Sequence, residues 1–289
     1  MLSERDKKQL LEYQRNEITE YNIYRCLATM QKSPENARIL ERIAADEKRH
    51  YEQWKGHTGE DALPDWGKVW KYCWISRIFG LTFGTKLMER GEAGAQQAYA
   101  ALPAEVGHAG TIAKEEGDHE AALLDMLDEE RLRYIGSVVL GLNDALVELT
   151  GTLAGLTFAL QNTRLIALTG SITGIAAALS MASSEYLSTK AEGADPQPLK
   201  AAFYTGVAYV VTVVLLILPF LVLSNFYVSL ACTLLTAVMI IALFNFYISV
   251  AKDLPFKRRF AEMAGLSLGV AALSFVVGLA LRLFLGVEV

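Results

Sequence analysis

Five long apolar segments follow one another after Arg133, and nothing else in this 289-residue chain limits its fold as much. They run over about Tyr134–Leu160, Leu165–Leu187, Ala201–Leu223, Val228–Val250 and Ala261–Leu285, each bounded by polar residues. At 1.5 Å per residue each helix would span roughly 33–40 Å, enough for a hydrocarbon core of about 30 Å with some tilt. A water-soluble core would have to bury all five in succession, so they read as spans of an integral membrane domain whose first partner is the lipid bilayer. Loop charge predicts the orientation. Arg131 and Arg133 precede the first span, Lys190 and Lys200 flank the second loop, and Lys252, Lys257, Arg258 and Arg259 fill the fourth. The other side offers Arg164, plus Arg282 near the end of the last span, which can snorkel outward. The positive-inside rule therefore puts the N-terminus in the cytoplasm and the C-terminus outside. Glycines recur four apart at Gly151 and Gly155, Gly170 and Gly174, and Gly265 and Gly269. Such spacing favours close helix packing or dimerisation.

Charge divides the chain at the same place. Residues 1–130 carry 17 Lys+Arg and 24 Asp+Glu, against 10 and 8 in the remainder, and hold all four histidines. The expected domains are 1–130, soluble and acidic, and 131–289, in the membrane. An acidic balance without a basic run excludes nucleic acid as a partner. Cys26, Cys73 and Cys232 are an odd, scattered set, neither a disulfide framework nor a CxxC metal site. The N-terminus is charged and helical rather than a secretory signal. These features point to a prokaryotic plasma membrane with the N-terminal domain in the cytosol.

Carboxylates occur where lipid should forbid them. Asp144 and Glu148 lie in the first span, in GLNDALVELTG, and Glu185 near the end of the second, in SMASSEYLS. A mid-membrane carboxylate costs about 2.5–3.5 kcal/mol even on the lenient insertion scale, so such residues face a cavity and usually carry function. Asp144 and Glu148 share a helix face, as do Met181 and Glu185. Carboxylate oxygen beside thioether sulfur suits a divalent transition metal rather than Mg²⁺ or Ca²⁺. The plain alternative is a protonated carboxyl bonded to a neighbouring helix, with Met181 as filling. Asn245 in the fourth span reads as an interhelical hydrogen bond.

The pair GLNDAL and SMASSEYLS resembles the vacuolar iron transporter family over residues 134–289. The resemblance implies a homodimeric exchanger that moves Fe²⁺ or Mn²⁺ out of the cytosol against protons, with Asp144 and Met181 lining the route. Ala145 stands where the family usually has glycine. The loop between spans two and three, STKAEGADPQPLK, lacks the long Glu- and Met-rich metal-capture insert of plant members.

The N-terminal domain offers capture of its own. Leu10–Lys32, Pro34–Lys55, Trp66–Leu102 and Ala104–Glu130 read as four helices. Residues 43–50 and 112–119 share the pattern I-A-x-[D/E]-E-x-x-H, and the helix before each carries carboxylates with a tyrosine seven residues on: Glu17 with Tyr24, Glu92 with Tyr99. Positions i and i+3 share a helix face, so Glu47 with His50 and Glu116 with His119 can each supply a carboxylate and an imidazole. Glu17 and Glu92 complete the set and Glu89 adds a ligand, as in di-iron carboxylate bundles. Carboxylate-rich ligation with one imidazole per metal suits Fe²⁺ or Mn²⁺. Glu20 is a further ligand or sits behind the ligands. Glu105 and His108 also match ExxH, but follow Pro103, are interrupted by glycines and have no repeat partner, so they read as surface.

This part resembles rubrerythrin and the ferritin-like superfamily over residues 1–130, without the rubredoxin cysteines that relay electrons. The whole chain resembles the fusion of a rubrerythrin-type domain to an iron transporter, the membrane-bound ferritin type. The resemblance implies an all-α fold: a cytosolic ferritin-like four-helix bundle holding a di-iron (Fe²⁺/Fe³⁺) or Mn²⁺ centre, followed by a five-helix transmembrane domain. The expected function is export of Fe²⁺ or Mn²⁺ in exchange for protons by a homodimer. A membrane-tethered di-iron oxidase or peroxidase is the alternative. Trp66, Trp70 and Trp74 form a stripe that reads either as bundle core or as contact with a membrane interface or partner subunit. With no proline and only Gly136 between Asp118 and Val139, the fourth bundle helix is also expected to run into the first span.

Overall fold

The computed structural model describes residues 4–88, 90, 109–125, 134–193 and 197–285, and among them every regular element is helical. The protein is all-α, an N-terminal helical region followed by five long apolar helices. It divides into two compact units, Met1–Glu129 and Glu130–Val289.

In the first unit α1 (Glu4–Thr29) and α2 (Pro34–Thr58) pair as a hairpin. Ser33 accepts from the Asn36 N–H and Pro34 opens the helix, a start at which proline loses nothing. Gly59, at φ 70°, ends α2 by donating to the Lys55 carbonyl. Next, α3 (Trp66–Phe79) starts at Asp65, whose side chain accepts from the Lys68 N–H. The Asp65 N–H donates to Thr19 Oγ1 at 2.9 Å and seats that end on α1. Helix α3 stops at Gly80, whose φ of 100° is open to glycine and costly for other residues, and helical residues 81–88 resume beyond it. This break corrects the expected continuous helix over Trp66–Leu102, of which residues 89 and 91–102 lie outside the described residues. α4 (Ala109–Asp125) carries the second ExxH motif. Ile23, Leu27, Leu40, Ile43, Val69 and Leu123 meet in one core.

Two cysteines that look unrelated in sequence meet here. Cys26 on α1 and Cys73 on α3 form a disulfide, with Cα atoms 6.3 Å apart, while Cys232 is free. Spacing along the chain could not show this, because the pairing depends on how α3 crosses α1. The tryptophan stripe faces the other way: Trp66, Trp70 and Trp74 are exposed, which rules out their reading as bundle core.

The second unit comprises α5 (Ile135–Leu160), α6 (Thr163–Glu192), α7 (Pro198–Val222), α8 (Phe226–Ala251) and α9 (Phe256–Leu285). All five are long and apolar enough to cross a bilayer. Asn162 and Asn225 cap α6 and α8 through their side-chain oxygens. α5 sits amid the rest, with Leu146, Leu149 and Leu153 fully enclosed beside Tyr209 and Leu216 of α7. Close approach explains two glycines. A Cβ at Gly141 would land on the Thr205 carbonyl oxygen, and one at Gly278 on that of Gly155. Thr150 Oγ1 and Ser267 Oγ, 3.0 Å apart, tie α5 to α9. Of the spaced glycine pairs, Gly151 and Gly155 face α9, and Gly170 and Gly174 face Leu153 and Val213, whereas Gly265 and Gly269 meet open space. Asn245 donates to Ile241 O of its own helix at 2.8 Å, in place of the expected interhelical bond.

Candidate metal sites

Helical spacing brings the first cluster together. Glu17 projects from α1, Glu47 and His50 from one face of α2, and Glu116 and His119 from α4. One ligand atom from each of Glu17, Glu47, His50 and Glu116 lies within 4.8 Å of the others, and the cluster can hold a metal ion. Around His50 Nδ1 stand Glu116 Oε1 at 3.4 Å and Glu17 Oε2 and Glu47 Oε2 at 3.6 Å. His119 joins through Nδ1, 3.2 Å from Glu47 Oε1, so Glu47 stands between the two imidazoles. Both Glu47 oxygens and both Nδ1 atoms are buried and make no hydrogen bond. Buried Glu47 oxygens and imidazole nitrogens left without hydrogen bonds beside one another are what a divalent cation would satisfy. Glu20 is buried on α1 but stands outside the group of four. Glu89 and Glu92 lie outside the described residues.

The far nitrogens of the histidines are held crosswise. Glu115 Oε2, just before the motif glutamate of α4, is 2.7 Å from Nε2 of His50; Asp46 Oδ2, just before that of α2, is 3.2 Å from Nε2 of His119. Arg49 joins the two braces, donating to Asp46 and, at 2.8 Å, to Glu115. Trp54 Nε1 donates to Glu17 Oε1 at 3.0 Å and fixes that carboxylate. Such outer partners orient ligands and set which ring nitrogen carries the proton. Sequence reading overlooked Asp46, Glu115, Arg49 and Trp54, although the acidic position before each motif glutamate was visible in the repeat.

Electrostatics favour the protonated forms of Glu47, His50 and His119 in this cluster. Burial pushes the Glu47 carboxyl up to about 8 despite the two histidines beside it. Burial opposes charge on His50, but the carboxylates of Glu116, Glu17 and Glu47 outweigh it and push the imidazole up to about 12. His119 is raised in the same way by Glu47 and Asp46. A cation entering here must therefore displace protons. Metal affinity of the N-terminal unit is expected to rise between pH 6 and pH 8, by about tenfold per pH unit for each proton displaced. Calorimetric titration in buffers of different ionisation enthalpy would count those protons, and an affinity flat across that range would contradict the protonated cluster.

The second group lies in the spans. α5 and α6 are joined by the short connection at Gln161 and Asn162 and run antiparallel. Ser137 Oγ donates to Glu185 Oε1 at 2.6 Å, which sets their register. Met181 is four residues, about 6 Å, deeper than Glu185; Asp144 and Glu148 are seven and eleven residues, about 10 and 16 Å, beyond Ser137. Counted along the helix axes, the four follow one another at depths about 4–6 Å apart, a ladder in depth. Tyr209 on α7 is fully buried, donates to Glu148 Oε2 at 2.8 Å and also engages Asp144. Sequence reading passed over it, because a tyrosine in an apolar span carries no signal by itself. Glu148 is exposed, and Asp144, Met181 and Glu185 are half-buried, so none is sealed in the unit's interior.

Residues 135–194, about a fifth of the chain, match the VIT family. That stretch contains α5, α6 and all four rungs of the ladder. No curated protein matches the chain.

Proposed function

We propose that this protein transports a divalent transition metal, Fe²⁺ or Mn²⁺, out of the cytosol in exchange for protons, and that its N-terminal unit captures the ion. The observation that carries the reading is the carboxylate ladder. Three acids in apolar helices, none of them sealed, are a heavy cost unless they serve a cation. The VIT family match over the helices that hold them supports the same reading. A carboxylate that binds metal when ionised releases it when protonated, since a neutral carboxyl is a poor ligand. Alternate occupation of Glu185, Asp144 and Glu148 by metal and proton couples the two fluxes. In the cytosolic unit Glu17, Glu47, His50, Glu116 and His119 would hold the ion, with Glu89 and Glu92 as further ligands. A homodimer with its N-terminal unit in the cytosol and its C-terminus outside completes the proposal.

The test is flux. Full-length protein in proteoliposomes, with a metal-sensitive dye and a pH-sensitive dye in the lumen, is expected to move Fe²⁺ and Mn²⁺ with protons moving the opposite way. The buried Glu/His cluster favours one rival, a tethered di-iron oxidase or peroxidase. Consumption of O₂ or peroxide with added Fe²⁺ and no metal flux would decide for that rival.

A further inference from the structure

We propose that the outer face of α3 is a docking surface for an anionic lipid bilayer. This goes beyond the transport reading and does not depend on it. Helix α3 has two unlike sides. Val69 and Cys73 are buried, and the inner side is fastened to α1 by the Asp65 to Thr19 hydrogen bond and the Cys26–Cys73 disulfide. The outer side cannot turn inward, and it displays Trp66, Trp70 and Trp74 at 63%, 67% and 46% exposure. Positions i, i+4 and i+8 advance only slowly round a helix, so the three indoles form one row, which Ile78, also exposed, extends by a further turn. Isolated exposed apolar residues need no explanation, but a contiguous row of large ones marks an interaction surface.

Charge identifies the occupant. Lys68, Lys71 and Arg77 are exposed on α3, and its fourteen residues include no acid. This makes α3 a basic island in a region where acids outnumber bases by 24 to 17. Tryptophan flanked by lysine and arginine is the composition of helices that lie in a membrane interface, with indoles at headgroup level and cations towards lipid phosphate. A protein partner fits less well, since protein interfaces are depleted in lysine. The same chain carries five helices long and apolar enough to cross a bilayer, so it has a lipid surface as a partner.

The sequence supplies its own probe. All four tryptophans are in residues 1–130; Trp54 is fully buried and the apolar helices contain none. In full-length protein reconstituted into nanodiscs, tryptophan emission therefore reports on this unit alone. With brominated acyl chains in phosphatidylglycerol-containing discs, up to about three quarters of the emission should be quenched, as three of the four indoles are on α3. Acrylamide should quench little. Replacing Trp66, Trp70 and Trp74 with serine should remove the lipid quenching. Lys68→Glu with Lys71→Glu, which leaves the fluorophores in place, should reduce it at least threefold in anionic discs. Emission quenched by acrylamide and untouched by brominated lipid would overturn the proposal, as a free surface. Emission shielded from both would overturn it too, as a face covered by protein.

Discussion

Asp144→Asn is expected to abolish the proposed metal flux through the spans and to leave metal binding by the N-terminal unit unchanged. The substitution keeps the shape of the side chain and an oxygen for Tyr209, and removes only the charge. A carboxylate within a span costs about 2.5–3.5 kcal/mol, so the variant folds and inserts at least as well as the parent and a loss of flux cannot be ascribed to unfolding. Even partners behind a ligand are worth about 10–100-fold in metal affinity, so neutralising a rung of the ladder should reduce flux by at least about 100-fold. Tyr209→Phe keeps both carboxylates and loses only the hydroxyl that orients Glu148, and should fall less, within about 10–100-fold. The measurement is initial rate in proteoliposomes beside bound metal per chain. A variant that transports at the parent's rate would remove Asp144 from the route.

Glu47→Gln is expected to abolish metal binding by the N-terminal unit without touching the spans. Glu47 is fully buried between His50 and His119, and both its oxygens lack hydrogen bonds. The amide is nearly isosteric, and burial already keeps the Glu47 carboxyl protonated and uncharged at neutral pH in the metal-free protein, so that form should be about as stable as the parent. What disappears is the stabilisation conferred by metal. A ligand at 100 times its dissociation constant adds about 2.7 kcal/mol to the folded state, visible as a raised melting temperature. The parent should show that rise with Fe²⁺ or Mn²⁺, and Glu47→Gln and His50→Ala should show none. Flux at saturating metal should persist in both variants if the unit serves capture alone. Melting curves of Glu47→Gln that still rise with metal would place the ion elsewhere.

Much of this arrangement could be read from the chain because its signals were periodic. Length and hydropathy suffice to mark five crossings, and acids interrupting such segments are conspicuous. Glu47 with His50 and Glu116 with His119 stand out because i and i+3 share a face and the pattern occurs twice. What escaped reading depends on helix crossings, which no spacing along one helix encodes. The braces from Asp46 to His119 and from Glu115 to His50 exist only because α2 and α4 pack against each other. The Cys26–Cys73 bond likewise exists only because α3 crosses α1. Tyr209 resembles any other aromatic residue in an apolar helix until Glu148 is seen opposite its hydroxyl. The break after Phe79 was the subtlest case, since glycine within a helical pattern is often tolerated and here takes a conformation that ends the helix.

The two tightest backbone approaches bear on which of the apolar helices can move. Gly141 lies against the Thr205 carbonyl and Gly155 against Gly278, so α5 touches α7 and α9 main chain to main chain, with no side chain between to yield. Sliding α5 by even one residue would drive a Cβ into a peptide oxygen. In the proposed transport cycle Asp144 and Glu148 would stay on a fixed helix, and movement between inward and outward access would fall to helices whose glycines meet side chains instead, such as α6 with Met181 and Glu185.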